Sequence, residues 1–137
     1  IVADAGVTMY TVQSVKQIPG YKNYVIVDGG MTDNPRYALY GAKHSALVAN
    51  RADQPADFPC TLAGRCCESG DVIGEDMMLV QPVRGDKVAV LTTGAYNYSM
   101  ASNYNRFGRP AVVMICQGED RLVVRRETLE DLTRCDE

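Results

Sequence analysis

The sequence has few of the residues that build metal centres and disulfide frameworks. His44 is its only histidine, and no C-x-x-C pair occurs. These features argue against a zinc site and against a Cys–His nucleophile pair, so no metal site is expected. The odd number of cysteines argues against a disulfide framework, and reduced thiols are typical of a cytoplasmic protein. The five cysteines are Cys60, Cys66, Cys67, Cys116 and Cys135.

A basic stripe and a long apolar run are also lacking. The formal net charge is −3, and the 14 basic and 17 acidic residues are spread along the chain. This distribution argues against nucleic acid as a partner. No apolar run approaches the roughly 18 residues that a membrane-spanning helix needs, so no membrane partner is expected. Neither a G-x-G-x-x-G nor a Walker pattern occurs, which argues against those two modes of phosphate binding.

The length and composition indicate one globular domain. The chain has 137 residues, of which 46% are apolar and 23% charged, as is ordinary for a soluble protein. Its first residues, IVADAG, have the composition of a strand and follow neither an initiator methionine nor a signal peptide. We therefore expect the chain to be a piece of a longer polypeptide.

Most of the chain has the composition of β-strands. Segment 6–15 is rich in Val, Thr and Tyr, which suit a pleated surface. The continuous apolar segments 87–91 and 111–116 indicate strands that are buried on both faces. In all, strands are predicted at 6–15, 23–30, 58–65, 87–93, 111–117 and 121–126.

Helix is predicted at only two places. Segment 94–105 follows a glycine turn, and Thr128 and Asp131 can form a capping box for a helix over 128–134. The Asn-Pro pair in 32–36 predicts a loop there. The sequence thus predicts a mainly β fold: one closed or nearly closed barrel of six or more strands over residues 1–137, with one or two short helices.

The hexapeptide CCESGD (66–71) has a composition that core packing does not require, because a buried unpaired carboxylate is costly. Adjacent side chains of a strand point to opposite faces, so one of Cys66 and Cys67 is expected in the core and the other accessible. Alternatively, both are small buried apolar residues. Cys67 and Glu68 can serve one site only if the chain leaves extended geometry, which the following Ser-Gly pair allows. The carboxylate would raise the pKa of the thiol and so favour a general acid over a nucleophile.

Three further side chains are candidates for binding. Arg36 and Tyr40 lie four residues apart after a proline turn, and Arg36 can grip a carboxylate at two points. Tyr96 lies in the G-A-Y sequence that follows a predicted buried strand. The alternative is a surface arginine, a half-buried Tyr40 and an aromatic cover over the barrel mouth. His44 is expected to be a structural surface or core histidine.

Three motifs, taken in their order along the chain, resemble the C-terminal domain of the diaminopimelate decarboxylase family. The end of the chain resembles it as well. The resemblance covers essentially the whole chain. It implies the C-terminal β-barrel of the alanine racemase and ornithine decarboxylase type, in enzymes that hold pyridoxal phosphate (PLP) on an N-terminal (β/α)₈ barrel. The motifs are VDGGMTDNPRYALYGA (27–42), CCESGD (66–71), TTGAYNYSMASNYNRFGRPA (92–111) and, near the end, LVVRRETLEDL (122–132).

The resemblance also implies an activity and residue roles. The family converts meso-diaminopimelate to L-lysine and CO₂, in homodimers that share their active sites. Cys67 corresponds to the proton donor that reaches the partner subunit's site, and Glu68 to a substrate-binding acid. Arg36 and Tyr40 correspond to substrate-binding residues, and Tyr96 to a contact of both cofactor and substrate.

The family's Schiff-base lysine, phosphate-binding loop and pyridine-nitrogen acid belong to the N-terminal barrel, whose motifs are absent here. The isolated chain is therefore expected to be inactive, with an apolar surface where that barrel would pack. One alternative is the same domain of a related decarboxylase for ornithine, arginine or carboxynorspermidine, which the opposite charges of Arg36 and Glu68 disfavour. The other is a non-catalytic β-barrel that acts as an interaction module.

Overall fold

The computed structural model describes residues 2–137, and over these residues the chain forms eight strands and two short α-helices. Short 3-10 turns lie at Ala3–Ala5, Ala49–Arg51, Tyr98–Met100 and Tyr104–Arg106. In chain order the elements are β1 (Val7–Ile18), β2 (Lys22–Val27), α1 (Arg36–Tyr40), β3 (Ala46–Val48), β4 (Phe58–Ala63), β5 (Val72–Leu79), β6 (Lys87–Leu91), β7 (Val112–Cys116), β8 (Glu119–Val124) and α2 (Leu129–Thr133).

Six strands form one sheet in the order β3-β6-β1-β2-β4-β5. The pair β2–β4 is parallel, and the other four pairs are antiparallel. The edge strands β3 and β5 contact each other, so the sheet curls into a nearly closed barrel. The predicted mainly β, nearly closed barrel is confirmed.

The hydrophobic core fills this barrel. Val25 and Val27 on β2, Leu62 on β4, and Val88 and Val90 on β6 are all fully buried. Full burial of such a side chain stabilises the fold by about 1.5–3 kcal/mol. The strand β6 pairs on both sides, with β1 and β3, and its three central residues are all buried. The prediction that 87–91 is buried on both faces is correct.

The strands β7 and β8 form a separate two-stranded hairpin. Its turn residues Gln117 and Gly118 both have positive φ, the requirement of a type I′ turn. Val113 pairs with Leu122, and both are exposed, as is Ile115. The prediction that 111–116 is buried on both faces is therefore wrong for this chain. An apolar run shows that a strand favours burial, but not which element covers it.

The predicted helix over 94–105 does not form. Two 3-10 turns, Tyr98–Met100 and Tyr104–Arg106, lie there instead. Tyr96 and Asn105 have φ of 64° and 55°, in the left-handed region, where an α-helix cannot continue. The second predicted helix is confirmed, because α2 begins after a capping box of Thr128 and Asp131.

The sequence patterns do not predict α1, β3 or β5. The helix α1 starts directly after Pro35, which is tolerated at a helix start, and ends at Gly41 in the left-handed region. The predicted loop over 32–36 is therefore correct up to Pro35. The strand β5 contains Gly74 and two acids, which have low strand propensity. Its pairing with β4 outweighs that propensity.

The strand-like composition of the first residues does not correspond to a strand. Ile1 lies outside the described residues, Ala3–Ala5 forms a 3-10 turn, and β1 begins at Val7. Among residues 2–137 no helix has the length and apolar character that crossing a membrane requires. The same residues contain no group of three metal-ligating side chains, and all five cysteines are free.

Candidate functional site

Two of the three sequence motifs follow parallel neighbouring strands. The segment 28–35, here called the DGG loop, follows β2, and the segment 64–71, the cysteine loop, follows β4. Because β2 and β4 are parallel neighbours, their carboxyl ends lie side by side, and both loops start at the same end of the barrel. The main-chain N–H of Arg65 donates to the carbonyl of Gly29 at 3.1 Å and joins the two loops directly.

The Asp71 side chain lies between the two loops. It is 3% exposed, and its carboxylate accepts the N–H of Met31 and the N–H of Cys66, each at 2.6 Å. A Cβ atom on Gly30 or on Gly64 would lie 2.2 Å from a carboxylate oxygen of Asp71. A glycine in each of the two loops is therefore needed for the close approach of this buried acid.

A second acid fixes the DGG loop to the barrel. Asp33 accepts the N–H of Gly30 at 3.0 Å and the hydroxyl of Tyr10, from β1, at 2.5 Å. Burial raises the pKa of Asp33 and, together with the charge of Asp33, raises the pKa of Tyr10 well above its ordinary value. The phenol thus stays protonated and donates this hydrogen bond throughout the neutral pH range.

The cysteine loop leaves extended geometry, as a shared site for Cys67 and Glu68 requires. Residues 65–67 bend and 69–70 form a turn. Cys67 is exposed, whereas Cys66 is half-buried and lies outside the hydrophobic core, which contains Cys60 instead. Neither neighbouring cysteine is therefore a core residue, so the prediction that one of the pair lies in the core is wrong, because the loop bends and does not continue as an extended strand. Burial, followed by the charge of Asp71, raises the pKa of the Cys66 thiol to about 11.

Glu68 is exposed and held as an anion. Its Oε1 accepts the N–H of Gly70 at 3.0 Å and the hydroxyl of Ser69 at 3.3 Å. These hydrogen bonds lower the pKa of Glu68. The Tyr104 hydroxyl donates to Oε2 at 3.4 Å, and the negative charge of Glu68 raises the pKa of Tyr104. An exposed, ionised carboxylate in this position can pair with an ammonium group.

The third motif, residues 92–111, here called the tyrosine segment, contacts both loops. The N–H of Ser102 donates to the carbonyl of Thr32 in the DGG loop at 2.8 Å. Arg65 of the cysteine loop places its guanidinium 4.0 Å from the ring centroid of Phe107. Contacts of this kind stabilise by about 0.5–1 kcal/mol at exposed sites. The fold therefore brings all three motifs together.

Arg36 and Tyr96 meet beside this group of loops. Arg36 begins α1, and its guanidinium carbon lies 5.9 Å from the ring centroid of Tyr96. The Nε of Arg36 is buried and without a hydrogen-bond partner among the described residues. The side chain of Tyr96 is 68% exposed, and its backbone has a left-handed conformation. Backbone strain of this kind is concentrated at functional sites in proteins.

Tyr40 and His44 are not linked to this group by a hydrogen bond or ring contact in residues 2–137. Tyr40 ends α1 and is 66% exposed. It lies four residues after Arg36, so the two side chains project from one face of the helix. His44 has its Nδ1 3.2 Å from the carbonyl of Leu91, a structural position as expected.

Three residues of the group were not singled out by the sequence patterns: Asp33, Asp71 and Tyr104. Asp71 ends the CCESGD motif, and Asp33 follows the double glycine of the DGG loop by three residues. An acid near glycines is the available signal, because glycine leaves room for a buried carboxylate. Tyr104 has no such signal, since its contact with Glu68 arises from the tertiary fold.

The three motif segments contain no lysine. The group therefore offers no amine for a covalent link to an aldehyde cofactor such as PLP, and Tyr96 is an exposed ring that such a cofactor would meet from this side. Residues of this chain fit one side of such a site.

The chain resembles known decarboxylases in sequence and structure. Residues 1–94 match the family described as "Pyridoxal-dependent decarboxylase, C-terminal sheet domain". The diaminopimelate decarboxylase of Bacillus subtilis (strain 168) is 54% identical over 136 residues, which are 99% of this chain and 31% of that protein. The diaminopimelate decarboxylase of Staphylococcus aureus (strain COL) is 50% identical, over 96% of this chain and 31% of that protein.

Solved structures extend the comparison. Diaminopimelate decarboxylase from M. jannaschii in complex with L-lysine matches with a TM-score of 0.91 and 36% identity, over 98% of this chain and 30% of that one. Lysine/ornithine decarboxylase from Vibrio vulnificus in complex with putrescine matches with a TM-score of 0.67 and 26% identity. The match covers 79% of this chain and 29% of that one. The chain spans about a third of the length of the relatives that it matches. It belongs to the pyridoxal-dependent decarboxylase family, as the C-terminal sheet domain of that family.

Proposed function

We propose that this chain is the C-terminal domain of a diaminopimelate decarboxylase, which converts meso-2,6-diaminopimelate to L-lysine and CO₂. The observation that carries the proposal is the pair of opposite charges presented by the converging motifs. Within residues 2–137 the buried Nε of Arg36 has no hydrogen-bond partner, and Glu68 is an exposed anion. The names of the relatives, at about half identity over nearly the whole chain, support the same activity.

The two charges suit the far end of meso-diaminopimelate. That end is an intact amino acid, with one carboxylate and one ammonium. Across the dimer, Arg36 of one subunit binds the carboxylate through two parallel N–H donors and Glu68 of the other subunit pairs with the ammonium, while Tyr40 lines the substrate side of α1. Ornithine lacks the second carboxylate and would leave Arg36 unpaired, at a cost of about 1–3 kcal/mol. This one difference gives roughly ten- to hundredfold discrimination.

Cys67 supplies the proton. Loss of CO₂ leaves a carbanion at the α-carbon of the substrate, and this carbon must be protonated to give lysine. The exposed Cys67 thiol, on the bent cysteine loop, acts as the general acid, and the neighbouring Glu68 binds the substrate beside it. When PLP is bound it supplies the electron sink for the carbanion.

The active site has to be completed by residues outside this chain. The lysine that binds PLP, the loop that binds its phosphate and the acid at its pyridine nitrogen belong to an N-terminal (β/α)₈ barrel, and Tyr96 contacts cofactor and substrate from this side. The enzyme is a homodimer in which Cys67 and Glu68 reach the site of the partner subunit. Five free cysteines support a reducing compartment, the cytoplasm. The isolated chain is inactive.

Substrate preference tests the proposal. The complete polypeptide that carries this chain is purified with PLP and assayed with meso-diaminopimelate, L-ornithine and L-arginine. We expect kcat/KM to be at least about tenfold higher for meso-diaminopimelate than for either alternative. A preference for ornithine or arginine would identify a related decarboxylase instead.

A chimera provides a second test. This chain replaces the matching 136 residues of the Bacillus subtilis relative, whose remaining part supplies the segment outside this chain. Retention of diaminopimelate turnover supports the proposal, and its loss when Cys67→Ala is added assigns the proton donor to this chain. A folded, dimeric chimera that binds PLP but turns over none of the three substrates would favour the non-catalytic interaction module.

A further inference from the structure

Asp71 is the most buried carboxylate of the three converging segments, yet it takes no part in charge recognition or proton transfer as described above. Its two oxygens point in different directions. Oδ1 accepts the N–H of Met31 in the DGG loop, and Oδ2 accepts the N–H of Cys66 in the cysteine loop. One side chain thus joins two loops, at the residue directly before Cys67.

The main chain of Asp71 closes the cysteine loop as well. Its carbonyl accepts the N–H of Gly64 at 2.8 Å, and its own N–H donates to the carbonyl of Glu68 at 3.1 Å. The base of the loop and the turn that carries Glu68 are therefore both bonded to this residue. A displacement of Asp71 changes the position of the whole loop.

The fit around the carboxylate is specific to aspartate. Gly30 and Gly64 flank it so closely that a Cβ on either would lie 2.2 Å from its oxygens. Glutamate would place its carboxylate one methylene further out, against these two glycines. Asparagine would keep the shape but turn an NH₂ donor toward one of the two main-chain N–H donors, so that one hydrogen bond is lost.

We propose that Asp71 is a positioning residue, which holds the Cys67 thiol in place for proton delivery by clamping the cysteine loop to the DGG loop. The inference rests on the proposed function. Asp71 acts through Cys67 and not on the substrate, because it is 3% exposed and both of its oxygens are occupied by main-chain N–H groups.

The clamp itself is tested by hydrogen exchange in the complete polypeptide, without reference to activity. Asp71→Asn should raise the exchange rates of the Met31 and Cys66 amides at least about tenfold, while core amides of β1 and β6 are unchanged. Asp86→Asn is the matched control, since Asp86 is also buried and also accepts a loop N–H, that of Val83. Unchanged exchange at both amides in Asp71→Asn would overturn the clamp.

A second pair of variants covers the case in which Asp71→Asn fails to fold. Gly64→Ala introduces a methyl group into the space of the carboxylate, whereas a Cβ on Gly70 of the same loop meets its nearest neighbour at an ordinary 3.5 Å. Gly64→Ala should raise exchange at Met31 and Cys66, and Gly70→Ala should not. Equal effects of the two variants would contradict the inference.

A double-mutant cycle distinguishes positioning of Cys67 from general structural support. Asp71→Asn should lower kcat about 10- to 100-fold in the wild-type background and have little further effect in a Cys67→Ala background. The solvent deuterium isotope effect on kcat should rise in Asp71→Asn and not in Asp86→Asn, because a misplaced donor makes proton transfer rate-limiting. If the losses of kcat in Asp71→Asn and Cys67→Ala multiply in the double variant, and the isotope effect of Asp71→Asn equals that of the wild type, Asp71 has a structural role only.

The outcomes separate this inference from the proposed function. If the wild-type polypeptide does not turn over meso-diaminopimelate, the proposed function fails, and the exchange experiment still decides whether the clamp exists. If the wild type is active and Asp71→Asn retains the wild-type kcat, the inference fails alone.

Discussion

Cys66 and Cys67 are neighbours in the chain with different surroundings. The N–H of Cys66 is bonded to Asp71 and its thiol is half-buried, while Cys67 is exposed on the bend of the cysteine loop. Glu68 follows as an anion that accepts hydrogen bonds from its own turn. At the scale of single residues, the site thus consists of side chains whose environments are set by a few main-chain hydrogen bonds.

Replacing each thiol should separate the roles of the two cysteines. In the complete enzyme, Cys67→Ala should lower kcat about 10²- to 10⁴-fold, the usual contribution of a general acid, with the absorbance of bound PLP unchanged. Cys66→Ala should keep kcat within a few-fold of wild type. Steady-state kinetics and the PLP spectrum of both variants check this, and equal losses would mean that the wrong thiol is assigned.

Arg36 offers a matched test of substrate recognition. Arg36→Lys keeps the positive charge but loses the two-point grip on a carboxylate, so KM for meso-diaminopimelate should rise roughly tenfold or more. Arg51→Lys is the control, because Arg51 pairs with Asp86, outside the candidate site. An unchanged KM in Arg36→Lys would remove Arg36 from the binding site.

At the scale of elements, Glu127 connects the tyrosine segment to the part of the chain that follows the β7–β8 hairpin. Its carboxylate accepts the side-chain N–H of Asn103 at 2.6 Å, and the main-chain N–H and Nε of Arg109, each at 2.8 Å. These hydrogen bonds lower the pKa of Glu127 to about 2, and those from Arg109 have the largest effect. The position of the tyrosine segment therefore depends on a residue that lies three positions beyond the end of β8.

The ionisation of Glu127 makes a pH-dependent contribution to stability. Its folded pKa lies below its ordinary value of 4.5, so the contribution is fully present above pH 4.5 and is lost as the pH falls toward about 2. Glu127→Gln should lower the thermal unfolding midpoint by a few degrees at neutral pH, and the difference from wild type should shrink below pH 4.5. Calorimetry over this range checks it, with exposed Glu119→Gln as control; a pH-independent difference would contradict it.

At the scale of the whole molecule, the chain has a well-packed barrel and an uncovered hairpin. Val113, Ile115 and Leu122 project apolar side chains into solvent, and Ile115 is 76% exposed. A two-stranded hairpin alone is marginally stable in water. This hairpin therefore presents an exposed apolar surface, and packing of an N-terminal barrel against such a surface stays a prediction.

The exposed hairpin should make the isolated chain self-associate. Ile115→Lys should shift the isolated chain toward monomer, because a charge on the β7 surface opposes burial against a second copy. Sedimentation at several concentrations measures this, with Tyr21→Lys at the exposed β1–β2 turn as the control. Self-association that is unaffected by Ile115→Lys but abolished by Tyr21→Lys would locate the contact elsewhere.

Local patterns predicted six strands, the capped helix α2 and the three motifs, because alternation, caps and turns are recorded in neighbouring residues. They failed where the cause is non-local. The strand β5 forms through its pairing with β4, and residues 94–105, which contact two distant loops, adopt left-handed backbone at Tyr96 and Asn105 where a helix cannot continue. Exposure of β7 depends on what lies against it, which periodicity does not encode.

The sequence by itself determined the β character of the chain, its resemblance to a decarboxylase domain, and the candidates Arg36, Tyr40, Cys67, Glu68 and Tyr96. Only the tertiary structure decided that the three motifs converge and that Asp71, Asp33 and Tyr104 hold them. The reason is physical. The parallel pairing of β2 with β4 brings together loops that are far apart in the chain, and the burial and hydrogen bonding of a carboxylate exist only after that pairing has formed.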